Sequence, residues 1–162
     1  MSGDNDVNGI LSGESKAYLK GDHISGKDPN RPSNPERGFG KLANQSFDIA
    51  EDNISKIERH LSKPIFLEEG AMAPENVRMI ERLRIAFTEG RPITEADASF
   101  YFHEMYEADL MDNMSLDYDT AHRMALDYYD VADFTIYHPD VIREFSRKFG
   151  RLWLTFWGIG GQ

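Results

Sequence analysis

The chain has 162 residues, 40% hydrophobic and 28% charged, which suffices for one domain with a core. Its net charge of −10 and pI near 4.9 count against a simple nucleic-acid binder, which usually presents a basic face. It has no cysteine, which excludes disulfides, thiolate metal sites and a cysteine nucleophile, so any metal must be held by His, Asp and Glu.

Residues 1–43 are rich in Gly, Asn, Asp, Ser and Pro, with turn signals at Asp28-Pro29-Asn30 and Ser33-Asn34-Pro35. They read as a long irregular arm or linker in which Tyr18, Leu19, Phe39 and Leu42 are the residues able to pack. Residues 44–162 read as a helical domain. Phe47, Ala50, Ile54, Ile57 and Leu61 follow 3-4-3-4 spacing, the stripe of an amphipathic helix that Pro64 ends. A second helix opens at Pro74, carries Val77, Ile80, Leu83 and Phe87, and is capped by Gly90. A third spans about 95–112, with Thr94 as N-cap, Asp97 in a capping-box-like position and Asn113 near its end. A fourth begins near Asp117 with Tyr118, Ala121, Ala125 and Tyr129 on one face. Residues 130–137 break the pattern, and Phe134-Thr135-Ile136-Tyr137 reads as a short strand or an extended link. A fifth opens at Pro139-Asp140 and continues through Ile142, Phe145, Phe149, Leu152 and Phe156. The expected fold is mainly α, a single domain of about five packed amphipathic helices. No run of about 18 apolar residues is present, so no transmembrane helix is expected. The N-terminus has no basic start followed by an apolar run, so no signal peptide is expected either.

One cluster carries chemistry. At about 100° per residue, Ala96, Phe100, His103, Tyr106, Glu107, Leu110 and Met111 form the inward stripe of the third helix. A carboxylate on such a stripe is costly unless paired or bound to something. His122 stands on the inward face of the fourth helix, and a short connection makes consecutive helices antiparallel neighbours. His103, Glu107 and His122 are therefore the expected site. They suit a divalent metal ion, and equally acid–base catalysis without one. They also suit a buried structural pair that positions two helices. The string His103-Glu104-Met105-Tyr106-Glu107 approaches the zinc-peptidase pattern H-E-x-x-H, with Glu as the last ligand and Glu104 as general base. On the wheel, however, Glu104 points about 100° away, to the edge of the buried face.

Arg143, Arg147 and Arg151, at i, i+4 and i+8, would line one side of the last helix, as a solvated face or a phosphate track. With Lys148 they form a local basic patch on an acidic chain. His138, before a proline at a helix start, reads as a cap or turn, where the dipole favours neutral imidazole. His23, His60 and the Gly38-Phe39-Gly40 turn carry no specific signal. No G-x-G-x-x-G, P-loop or G-x-S-x-G pattern is present, so no nucleotide cofactor or serine elbow is indicated.

Glu75-Asn76-Val77-Arg78-Met79-Ile80, Gly90-Arg91-Pro92-Ile93-Thr94, Phe102-His103-Glu104 with Glu107-Ala108, and Tyr118 with Ala121-His122 and Ala125-Leu126 form a soft pattern. Over about residues 75–145 it resembles the C-terminal toxin domains of bacterial polymorphic toxins, of the Rhs and contact-dependent growth inhibition types. The resemblance implies an antibacterial effector, delivered as part of a larger protein into the target-cell cytoplasm and paired with a cognate immunity protein. Many such domains are nucleases. Under that reading His103 and His122 are the acid–base pair, Glu107 the orienter or metal ligand, and Arg143 and Arg147 the phosphate contacts. The acidic charge departs from many nuclease toxins. A metal-dependent hydrolase of another substrate and a non-enzymatic helical interaction domain stand as alternatives.

Overall fold

Helix α1 (Glu51–Leu61) is tied to the rest by a tyrosine. The Tyr101 hydroxyl accepts hydrogen bonds from Ala50 N at 3.1 Å and Asn53 Nδ2 at 2.9 Å, satisfying donors where no side chain caps the helix. The structure, a computed structural model, describes residues 34–160. Tyr18, Leu19 and His23 lie outside the described residues.

Six α-helices dominate the described residues: α1, α2 (Pro74–Glu89), α3 (Glu95–Asn113), α4 (Tyr118–Tyr129), α5 (Pro139–Glu144) and α6 (Arg151–Trp157). Four two-residue strands make two antiparallel ladders. β1 (Ser46–Phe47) pairs with β4 (Ile93–Thr94), and β2 (Leu67–Glu68) with β3 (Ala71–Met72). The molecule is mainly helical, as expected. Pro74 opens α2, and Gly90 closes it in the left-handed region at φ +69°. Asp117 caps α4 by accepting from Thr120 N at 2.8 Å.

Helix α3 is the axis. Asn53 meets Tyr101, His60 pairs with Glu107 and Lys63 with Asp112, so α1 runs parallel to it. Phe102 meets Tyr129 at one end and Glu107 meets His122 further along, so α4 runs antiparallel to it. Helix α2 packs on both α1 and α3. The core runs through Ile54 and Ile57 of α1, Met79 and Leu83 of α2, Phe100 of α3, Ala125 of α4, and Tyr137, Ile142 and Trp153.

Several sequence expectations are corrected. Phe47 is not helical but pairs with Ile93 in the ladder. The buried face of α2 is rotated to Met79, Ile80, Leu83 and Ala86, leaving Val77 and Phe87 exposed, because that arc faces both α1 and α3. Thr94 occupies the N-cap position of α3 without a side-chain cap bond. Asp97 is taken instead by the Arg82 guanidinium, with two contacts of 2.9 Å. Residues 130–137 form neither a strand nor an extended link but a 3-10 turn, Asp133–Thr135, leading into buried Ile136 and Tyr137.

The fifth expected helix is two helices. Phe145 leaves helical geometry at φ −116°, a 3-10 turn follows at Ser146–Lys148, and Gly150 starts α6 in extended conformation. The break lets Phe149 and Trp153 both pack on Tyr137. It also lets Lys148 reach Glu75 at 2.6 Å and Glu68 at 2.5 Å. Residues 34–43, the end of the expected arm, fold onto the domain. Leu42 is buried, Phe39 meets Trp157, and Gly40 backs onto the main chain of Asp130.

Candidate metal centre

Each member of the cluster is delivered by helical periodicity. His103 and Glu107 stand one turn apart on α3, His122 follows Ala121 on the inward face of α4, and His60 precedes Leu61 at the end of α1. His60, His103, Glu104, Glu107 and His122 are all fully or almost fully buried.

Three donor atoms form a triangle. His103 Nε2 lies 3.0 Å from His122 Nδ1 and 3.1 Å from Glu107 Oε2, and His122 Nδ1 lies 3.1 Å from that same oxygen. Hydrogen bonds alone do not satisfy it. Each nitrogen carries either a proton or a lone pair, so at most two of the three edges can hold a proton between donor and acceptor. Three lone pairs aimed at one cation remove that conflict. Atoms about 2.0–2.1 Å from one ion lie about 2.9 Å apart at octahedral angles and about 3.3 Å apart at tetrahedral ones. The observed edges fall between these limits.

The other oxygen of Glu107 faces α1, where Oε1 lies 2.8 Å from His60 Nε2. Lys63 Nζ lies 2.9 Å from His60 Nδ1, and an ammonium only donates, so Nδ1 accepts and Nε2 carries the proton toward Glu107. Glu104 completes the group. Neither of its oxygens has a hydrogen bond with a described residue, and the nearer one lies 3.6 Å from His60 Nε2.

The two carboxyls are driven in opposite directions. Burial, then the neighbouring Glu107 charge, raises Glu104 well above the usual carboxylate range. Burial also pushes Glu107 upward, but its hydrogen bonds to His103, His122 and His60 together overcome this and hold it well below that range. Of the two, Glu107 is therefore the one that gives up its proton first as the pH rises.

Aromatic rings lie against the outer histidines. Phe66 meets His60 edge-on with ring centroids 4.9 Å apart, and Tyr118 at 5.3 Å. Tyr118 stacks on His122.

His103, Glu107 and His122 converge as expected. Glu104 is not at the edge of a buried face but wholly inside, because α3 is packed by α1, α2 and α4 around most of its circumference. His60, which carries no specific motif, joins the cluster; its signal in the sequence is its place three residues after Ile57 on the arc of Ile54, Ile57 and Leu61, the same kind of signal that marks His122. Arg143 and Arg147 do not share a helix face: Arg143 sits in α5, bonded to Asp140 at 3.0 Å, and Arg147 in the following turn. His138 is a helix cap, its Nδ1 accepting from Asp140 N at 3.0 Å. Its burial, then the nearby Arg82 charge, lowers its pKa, which favours the neutral ring that accepts this bond.

Comparison with known protein families, curated proteins and solved structures gives no match. Among the described residues no helix is long and apolar enough to cross a membrane.

Proposed function

We propose that this chain is a metal-dependent hydrolytic domain that holds one divalent ion through His103 Nε2, His122 Nδ1 and Glu107 Oε2. The observation that carries the reading is the closed triangle of 3.0, 3.1 and 3.1 Å, too symmetric for hydrogen bonds alone. Two imidazoles and a carboxylate are the donor set of catalytic zinc sites, which keep a further position for water. An ion there would bring bound water near neutral pKa and polarise the bond to be cleaved. The resemblance of residues 75–145 to polymorphic-toxin domains supports an antibacterial effector working in a target cytoplasm, with an immunity protein as partner. Nucleic acid is the first substrate to test, although Arg143 and Arg147 form no common phosphate track.

The test is induction of the chain in bacterial cytoplasm, wild type beside His103→Ala at matched protein levels, with RNA and DNA followed. Growth arrest by the wild type alone supports the reading, and nucleic-acid breakdown names the substrate. Absence of arrest, together with no ion on metal analysis of the purified chain, removes it.

Complete burial of the cluster favours a second reading, a non-enzymatic helical interaction domain whose cluster is a structural polar core. Under it, His103→Ala weakens the fold and changes no chemistry.

A further inference from the structure

The geometry points to a second divalent-ion site beside the first, formed by His60 Nε2, Glu104 and Glu107 Oε1, so that Glu107 bridges two ions. The inference rests on the proposed ion at His103, Glu107 and His122 and extends it to a dinuclear centre.

Two observations carry it. The first is how Glu107 divides its oxygens. Oε2 faces His103 and His122, while Oε1 faces His60 across the helix. A carboxylate with each oxygen directed at a different nitrogen group has the geometry of a bridging ligand. Two-metal hydrolytic sites place their ions roughly 3.5–4 Å apart, a spacing one carboxylate can span. The second is Glu104. It is fully buried, neither oxygen has a hydrogen bond with a described residue, and its ligand atom lies within 4.8 Å of those of His60 and Glu107. A carboxyl group buried without partners is costly. As a ligand it gains the partner it lacks, and the set of one imidazole and two carboxylates suits Mn²⁺, Fe²⁺ or Zn²⁺.

Lys63 explains how the pocket is balanced before this ion arrives. Its ammonium lies against His60 Nδ1 and also 2.7 Å from Asp112 Oδ1. Filling the second site needs the lone pair of His60 at Nε2. The His60 proton then sits at Nδ1, and Lys63 turns wholly to Asp112. The second ion therefore binds more weakly than the first and competes with Lys63.

The experiment loads the metal-free full chain with Mn²⁺ or Zn²⁺ and counts bound ions after desalting, in wild type, Glu104→Gln and Lys63→Met. The expected result is two ions in the wild type, loss of the weaker in Glu104→Gln by more than 100-fold in affinity, and several-fold tighter binding of that ion in Lys63→Met. One ion in all three proteins overturns the second site and leaves the first standing. No ion in any of them overturns both. Should Glu104→Gln fail to fold, the Mn²⁺-loaded wild type decides by electron paramagnetic resonance. An exchange-coupled pair supports the bridge, and only isolated ions at saturation overturn it.

Discussion

His60 Nε2 and Glu107 Oε1 meet at 2.8 Å across 47 residues of sequence, both fully buried, and this contact joins α1 to the centre of α3. It differs in kind from the surface pair of Arg84 and Glu58, which is shorter at 2.6 Å but half exposed. Exposed pairs are worth about 0–1 kcal/mol, while taking a hydrogen bond from a buried carboxylate oxygen costs about 1–3 kcal/mol. His60→Ala, which leaves Glu107 its contacts with His103 and His122, is therefore expected to destabilise the metal-free chain by about 1–3 kcal/mol and Arg84→Ala by less than about 1 kcal/mol. Urea unfolding of both variants checks this, and equal effects would contradict the role given to His60.

The two carboxyls predict opposite limbs in the pH dependence of the metal-free chain. Glu107 titrates below its unfolded value in the folded state, so its contribution is full above about pH 5 and is lost as the pH falls through the folded value. Glu104 titrates above its unfolded value, so its contribution is full in acid and is lost as the pH rises above about 4 toward its folded value. Denaturation midpoints measured from about pH 3 to 8 should lose the acid limb in Glu107→Gln and the rising-pH limb in Glu104→Gln. Unchanged profiles in both variants would remove this assignment of charge.

Glu104 is kept at a cost. Replacing it by an apolar residue of similar length removes a buried group that has no hydrogen bond among the described residues, a penalty of about 1–3 kcal/mol. Glu104→Leu should thus stabilise the metal-free chain while lowering its capacity for metal. A variant that is both less stable and unchanged in metal binding would show that Glu104 is simply structural.

Phe66 packs on His60 and on Tyr118, which in turn stacks on His122. Phe66→Ala is expected to cost about 3–5 kcal/mol. It should also expose the cluster, speeding the loss of bound metal to a chelator severalfold. Stopped-flow mixing of the loaded protein with chelator gives the rate, and an unaltered rate in a folded variant means Phe66 does not guard the site.

Gly40 has φ +49°, and a Cβ built on it would fall 1.7 Å from the carbonyl oxygen of Asp130. No rotamer relieves a clash with main chain. Gly40→Ala should destabilise by more than the roughly 1–3 kcal/mol of backbone strain alone. Thermal unfolding measures it, and a near-neutral result would mean that residues 34–43 do not dock as described.

Helical period, proline and glycine punctuation and the inward positions of His103, Glu107 and His122 were legible in the sequence by itself. They are local properties: a turn of helix repeats every 3.6 residues whatever surrounds it. Tertiary structure decided the rest. The wheel assumes one buried face, so it set Glu104 at an edge, whereas α3 is enclosed by three helices and no edge exists there. Periodicity carried the last apolar stripe through residues 145–150, but Phe149, Trp153 and Lys148 gain more from bending toward Tyr137, Glu68 and Glu75 than one straight helix allows. His60 shares the inward arc of α1, yet its meaning depends on a carboxylate oxygen 47 positions away. Which inward polar groups face one another is set by helix packing, because the contacts that decide it are long-range and leave no period in the chain.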